Sequence, residues 1–147
     1  MRAVFARPWR AALHLALFTS VLATATAPQA QPVGYEVEGD GIPKPLTATP
    51  GNAARGKALL AARQGAPCLK CHSVKDKELA GGGSKGPALD GIGAVLTPAQ
   101  LRLSVVDLAR VNRGTAMPAF HKSDGDAPRL NAQEVEDVVA FLATLRR

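Results

Sequence analysis

The chain has 147 residues, of which 46% are hydrophobic, with only two cysteines and a formal net charge of +6. A chain of this length suits one domain. Nucleic-acid binding requires a basic stripe on one face, and the absence of any run of Lys and Arg argues against that function. Half of the net charge comes from Arg2, Arg7 and Arg10, so removal of the N-terminus would lower it from +6 to +3.

The N-terminus has the features of a secretory signal peptide. An apolar run over 11–23 follows the three arginines and ends in small residues, including the sequence Ala-Thr-Ala at 23–25. The run is shorter than the roughly twenty residues that a membrane-spanning helix needs. We therefore predict a signal peptide over 1–27, cleaved between residues 25 and 30, with export to the periplasm and no transmembrane anchor after cleavage.

Residues 28–50 are rich in proline and glycine. Five prolines interrupt this stretch, at positions 28, 32, 43, 45 and 50. Because proline lacks the amide hydrogen that a continuous helix requires, the sequence predicts an extended arm. Tyr35, Val37, Ile42 and Leu46 would attach the arm to the domain or to another protein; a flexible linker is the open alternative.

Capping signals predict three helices in residues 51–147. Asn52 is a favourable N-cap for a helix over 53–64, which Gly65 and Pro67 would end. Capping boxes at 97–100 (TPAQ) and 131–134 (NAQE) open two more helices, the first of them reaching about Val111.

Apolar residues recur at helical spacing in the last two of these segments. They are Leu101, Val105, Leu108 and Val111 in one, and Val135, Val138, Val139, Leu142 and Leu145 in the other. No segment alternates as a strand, so the sequence predicts an all-α domain over 51–147.

Residues 68–72 read CLKCH, the C-x-x-C-H pattern of covalent c-type haem attachment. On one helical turn, the thiols of Cys68 and Cys71 can add to the two vinyl groups of one haem while His72 binds its iron. A zinc site would need further soft ligands, and the chain has no other cysteine and only two other histidines. A thioredoxin-like dithiol would follow a strand, which is not indicated here. One haem c is therefore predicted.

Met117 is the predicted second axial ligand of the iron. It is the only methionine outside the signal peptide, and it lies in a turn-prone segment, 114–118 (GTAMP). The alternative is a gap-filling core methionine. His121, among polar neighbours, is expected at the surface. Because His72 and Met117 would occupy both axial positions, the iron should carry electrons and should not bind substrate.

The glycine-rich stretch 81–86 (GGGSKG) differs from a phosphate-binding P-loop. That motif ends in Gly-Lys followed by Ser or Thr, and a strand precedes it. Here the order is different and no strand is indicated, so we predict that the stretch lets the chain turn around the edge of the haem.

The order of these features resembles the class I cytochrome c family. In that family, a glycine of the first helix crosses an aromatic residue of the last helix, matched here by Gly56 and Phe141. A Gly-Pro-x-Leu segment follows the haem motif, matched at 86–89, and the resemblance implies that the carbonyl of Pro87 accepts a hydrogen bond from His72. The distal Met-Pro is matched at 117–118. A tryptophan found in many members is missing.

A narrower resemblance concerns the SoxX family, the monohaem subunits of SoxAX cytochrome complexes. It is carried by the segments 101–107 (LRLSVVD), 115–120 (TAMPAF), 135–142 (VEDVVAFL) and the arm from Tyr35 to Leu46. It implies a heterodimer with a dihaem or monohaem SoxA-like subunit, which would carry the catalytic haem of an L-cysteine S-thiosulfotransferase. Thiosulfate would be coupled to a cysteine of a SoxYZ-like carrier, and the electrons would pass to a soluble cytochrome c.

A free-standing soluble cytochrome c, shuttling electrons for another periplasmic enzyme, is the alternative. Such shuttles dock through basic residues around the haem edge. The chain offers Lys70, Lys75, Lys77, Lys85 and Lys122, which would equally form an ordinary solvated face.

Overall fold

The structure, a computed structural model, describes residues 33–62, 67–79, 81–122 and 128–147. The predicted signal peptide and the first residues of the arm lie outside the described residues. Within the described ranges, no helix is both long enough and apolar enough to span a membrane.

Helices form the architecture. They are α1 (Ala53–Ala61), α2 (Ile92–Val95), α3 (Pro98–Asp107) and α4 (Ala132–Thr144), with 3-10 turns at Cys68–Lys70 and Leu108–Arg110. In the described part of the chain, strand-like pairing is limited to two isolated bridges, between residues 38 and 41 and between 73 and 82. The prediction of an all-α domain is confirmed.

The helices begin where the capping residues predict. Asn52 accepts a hydrogen bond from the amide of Arg55, and complete capping boxes open α3 at Thr97 and α4 at Asn131. The predicted end of α3 is wrong: the helix stops at Asp107, and Val111, assigned to its buried face, is 48% exposed. The intervening 3-10 turn has fewer residues per turn than an α-helix, so it rotates Val111 away from that face.

The most extensive helix contact joins α1 and α4 at Gly56. A Cβ atom on Gly56 would lie 1.9 Å from the carbonyl oxygen of Asp137 and 3.0 Å from the Cβ of Phe141. The expected crossing of Gly56 with Phe141 is confirmed. Only glycine lets the two backbones approach this closely, which offsets the cost of about 1 kcal/mol that glycine carries inside a helix.

We expect Gly56→Ala to lower the free energy of unfolding by about 1–3 kcal/mol, because the added methyl group forces α1 away from α4. Urea unfolding of the holoprotein measures the change. Gly114→Ala is the matched control, since its Cβ would meet no atom closer than 3.8 Å, and it should shift stability by less than about 0.5 kcal/mol. Equal stability of Gly56→Ala and wild type would contradict the close crossing.

Asp137 of α4 binds the start of α1 through hydrogen bonds. Its carboxylate accepts hydrogen bonds from the amide of Asn52 at 2.7 Å and from the guanidinium of Arg55 at 2.6 and 2.9 Å. The hydrogen bond from Arg55 is the largest cause that lowers the pKa of Asp137 below its usual value, and burial opposes it.

This lowered pKa predicts acid sensitivity. A carboxyl whose pKa is lower in the folded chain contributes stability above its unfolded value, near 3.8, and loses it as the pH falls through the folded value. We expect Asp137→Asn to lower the free energy of unfolding by about 1–2 kcal/mol at pH 6, since it removes a charge-assisted hydrogen bond. The deficit should shrink as urea unfolding is repeated at stepwise lower pH, down to about 2.5; a constant deficit would contradict the assignment.

The described part of the arm, residues 33–50, packs on α3 and α4. Ile42 and Leu46 are buried, whereas Val37 is exposed. The amide of Ile42 donates to the carbonyl of Ala99 at 2.9 Å, and the amide of Leu46 donates to Glu136 Oε1 at 2.8 Å. The sequence left open whether the arm binds this domain, binds another protein or is a flexible linker. In the structure, the described part of the arm binds this domain.

A buried ion pair lies beneath the arm. Arg102 of α3 donates to both carboxylate oxygens of Glu136 of α4, at 2.7 and 2.9 Å, and each side chain is only 6% exposed. A further guanidinium nitrogen of Arg102 donates to the carbonyl of Ile42. The pair therefore binds the arm, α3 and α4 together. The sequence pattern gave no sign of it, because Arg102 stands in a helix with no acidic residue at pairing distance.

Candidate haem site

The two cysteines and the histidine stand on one helical turn. In the 3-10 turn Cys68–Lys70 and the two residues after it, the amides of Cys71 and His72 both donate to the carbonyl of Cys68, at 3.1 and 2.9 Å. All three side chains are partly buried, and the two thiols are not joined in a disulfide. The turn therefore presents two thiols and one imidazole together.

The imidazole of His72 is held from one side by the segment 86–87. Its Nδ1 lies 2.7 Å from the carbonyl oxygen of Pro87, and a Cβ on Gly86 would lie 2.5 Å from its Cε1. Because a carbonyl can only accept, Nδ1 carries the hydrogen, and in the neutral ring Nε2 then has the lone pair. A metal-binding histidine typically has this arrangement, with one nitrogen donating to a carbonyl and the other free for the metal.

The glycine-rich loop, residues 81–86, packs against the backbone of the cysteine turn. The amide of Gly83 donates to the carbonyl of Leu69 at 2.8 Å, and that of Gly86 donates to Cys71 at 2.9 Å. A Cβ on Gly83 would lie 2.2 Å from the carbonyl oxygen of Lys70. These amides bind the turn and are therefore not available to hold a phosphate.

Cys68 has apolar surroundings. Burial is the largest cause that raises the pKa of its thiol to about 11. The side chain packs against the hydrophobic core of the domain. The surroundings of Cys68 therefore suit an apolar macrocycle.

Met117 reaches the same hydrophobic core from a different part of the chain. Its side chain is partly buried and packs against that core, and its amide donates to the hydroxyl of Thr115 at 3.1 Å. Three residues further on, the amide of Phe120 donates to the carbonyls of Val105 and Val106 at the end of α3. The segment that carries Met117 is thus attached to α3 just beyond the methionine.

His121 is fully buried, so the expectation that it lies at the surface is wrong. Its Nδ1 lies 2.8 Å from the carbonyl oxygen of Leu130, and its Nε2 accepts a hydrogen bond from the amide of Val33 at 3.1 Å. Both partners are backbone groups, one of them 88 residues earlier in the chain, so the polar residues after His121 were a misleading signal.

The residues of this site fit a covalently attached haem. They supply two free thiols for the thioether bonds and an oriented imidazole whose Nε2 would bind the iron; Met117 is available as a thioether ligand. When bound, the haem supplies a one-electron Fe(III)/Fe(II) couple. In the ranges that the structure describes, no group of three or more His, Cys, Asp or Glu side chains forms another metal site.

Comparisons with known proteins agree with this chemistry. The family model for cytochrome c matches residues 53–146. The chain is also similar to a chain in the crystal structure of SoxXA from P. pantotrophus, at 34% identity and a TM-score of 0.73, covering 82% of this chain and 100% of that chain. A search among curated proteins gave no match.

The family match includes the haem motif, the Gly-Pro segment and Met117, and it spans more than half of the chain. Members of this family transfer electrons through covalently bound haem c, and Cys68 and Cys71 fit the attachment motif. The chain therefore belongs to the cytochrome c family, as a class I cytochrome c that is most like SoxX.

Proposed function

We propose that this protein is the periplasmic monohaem electron-transfer subunit of a SoxAX-like complex, bound to a SoxA-like subunit. The observation that carries the proposal is the extent of the structural similarity. It covers 82% of the 147 residues, about 120, which exceeds the 94 residues of the family match over 53–146. The similarity to a chain of SoxXA therefore continues beyond the cytochrome domain, on the side of the arm.

In the proposed reaction, thiosulfate is coupled to a cysteine of a SoxYZ-like carrier. An S–S bond forms between the terminal sulfur of thiosulfate and the cysteine sulfur, the S–H bond of the cysteine breaks, and one proton and two electrons are released. The bond-forming step takes place on the SoxA-like partner, so this chain contributes no catalytic residue. It accepts the electrons one at a time and passes them to a soluble cytochrome c.

The side chains of this protein serve that role by holding a single haem. Cys68 and Cys71 tether the macrocycle, and His72 binds one face of the iron in an orientation fixed by Pro87. Met117 would supply a second, thioether ligand. With His72 and Met117 both bound, the iron would have no open position for a substrate, as expected of an electron carrier.

A free-standing electron shuttle is the second candidate, and the exposed lysines favour it. Lys70 lies within the haem motif and Lys85 adjoins Gly86, which packs on His72; both are exposed. Basic residues around a haem edge would steer an acidic partner in a transient encounter. A permanent heterodimer interface would instead be larger and more apolar.

Purification of the holoprotein from its native periplasm tests the choice. We expect a haem-containing partner to co-purify. We also expect thiosulfate to reduce the haem of this chain only when that partner and the carrier protein are present. A reaction without the carrier protein is the control. A monodisperse protein that purifies alone, and whose haem is reduced by another enzyme, would instead establish the shuttle.

A further inference from the structure

The arm and the Met117 segment are joined by one buried side chain, His121. We propose that His121 is a positioning residue for Met117: through its two ring hydrogen bonds, the docked arm fixes the segment 117–121 and so sets how firmly Met117 binds the iron. This inference rests on the proposed ligation by Met117, and it assigns the arm an effect on the haem.

The hydrogen bonds of His121 define its chemical form. Nε2 accepts from the amide of Val33, so it carries no hydrogen, and Nδ1 donates to the carbonyl of Leu130. The ring is therefore a neutral imidazole with its hydrogen on Nδ1. It bridges the start of the described arm to the residue that precedes the cap of α4, and no part of it reaches solvent.

The segment after Met117 is fixed to the domain at the same place. The amide of Phe120 donates to the carbonyls of Val105 and Val106 at 3.3 and 3.1 Å, and the amide of His121 donates to Val106 at 3.3 Å. The carbonyl of Phe120 accepts from the amide of Leu130 at 3.0 Å. Phe120 and His121 thus form an anchored base for the residues just before them.

Met117 itself is held less firmly than this base. Its side chain is only partly buried, and the hydrogen bond of its amide goes to the nearby hydroxyl of Thr115, within the same segment. Pro118 restricts the backbone between the methionine and the base. The position of the thioether is therefore determined mainly from Phe120 and His121, and the hydrogen bond to Val33 adds the arm to that base.

A pair of arm variants tests the inference without changing His121. Val33→Pro removes the amide that donates to Nε2. Val37→Pro makes the same change at an exposed arm residue and is the matched control. The readouts on the ferric holoprotein are the near-infrared absorption of thioether-bound iron and the affinity for cyanide, which must displace Met117. We expect Val33→Pro to bind cyanide at least tenfold more tightly than Val37→Pro and to show a weaker near-infrared band.

Variants of His121 provide the second set of measurements. His121→Leu should raise cyanide affinity at least as much as Val33→Pro. His121→Gln should restore most of the wild-type behaviour, since an amide can both donate and accept. Val138→Ala, a buried change in α4, controls for a general loss of stability and should leave both readouts unchanged.

The outcomes separate this inference from the assignments on which it rests. The Val33→Pro and His121→Leu proteins could unfold more easily and yet keep the wild-type cyanide affinity and near-infrared absorption. That result would show that His121 has a purely structural role, and it would overturn the inference. A wild-type protein without the near-infrared band would overturn the ligation by Met117 and this inference with it. The absence of a co-purifying partner would bear on the proposed complex alone.

Discussion

We expect Met117→Ala to abolish the near-infrared absorption of the ferric holoprotein and to lower its reduction potential. The band arises from iron bound to a thioether sulfur, and Met117 supplies the only methionine thioether outside residues 1–32. Thioether ligation raises the potential of a haem, and axial ligands as a group span about 0.8 V. The reduction potential of Met117→Ala should therefore fall by a sizeable part of that range, as measured by redox titration.

Met117→His separates loss of the thioether from loss of any sixth ligand. An imidazole at this position should keep the iron six-coordinate while the near-infrared band stays absent and the potential stays low. Thr115→Val removes the hydroxyl that accepts from the amide of Met117 and should retain the band. A Met117→Ala protein with an unchanged band and potential would make Met117 a core residue and leave the sixth ligand to another group.

Arg102→Leu is expected to cost about 3–5 kcal/mol in the free energy of unfolding. The substitution leaves the carboxylate of Glu136 buried without its counter-charge, and such an uncompensated charge is strongly destabilising. It also removes the donor to the carbonyl of Ile42, so the arm should loosen with the core. Urea unfolding of the holoprotein measures the loss.

The double variant Arg102→Leu/Glu136→Leu shows how much of this cost comes from the unpaired charge. Since both charges are then absent, we expect it to recover a large part of the stability lost by Arg102→Leu alone. Lys57→Ala is the control for a more accessible pair, because Lys57 bridges to Asp76 and to the exposed Glu78, and solvent screens such pairs, so it should destabilise the protein far less than Arg102→Leu. Equal destabilisation by the two substitutions would contradict a structural role for the buried pair.

The features that the sequence predicted correctly depend on residues close together in the chain. Each helix cap is decided within four residues, which is why the starts of α1, α3 and α4 follow from Asn52, Thr97 and Asn131. The turn of the haem motif is equally local. The crossing at Gly56 is a long-range contact, and it became predictable only through the resemblance to the cytochrome c family.

The features that sequence reasoning missed depend on partners far along the chain. The buried ring of His121 has its Nε2 satisfied by the amide of Val33, 88 residues earlier. Arg102 is buried because Glu136 neutralises it from another helix, 34 residues later. In both cases the residue type argues for solvent exposure, and only the fold brings the partner that offsets the cost of burial.

The arm makes its contacts with residues that follow it at long range. Val33 binds His121, Ile42 binds Ala99, and Leu46 binds Glu136, separations of 88, 57 and 90 residues. Synthesis begins at the N-terminus, so the arm is made long before any of these partners. Closing such long loops is slow. The cysteine turn at 68–72 emerges in between, so haem attachment can precede docking of the arm.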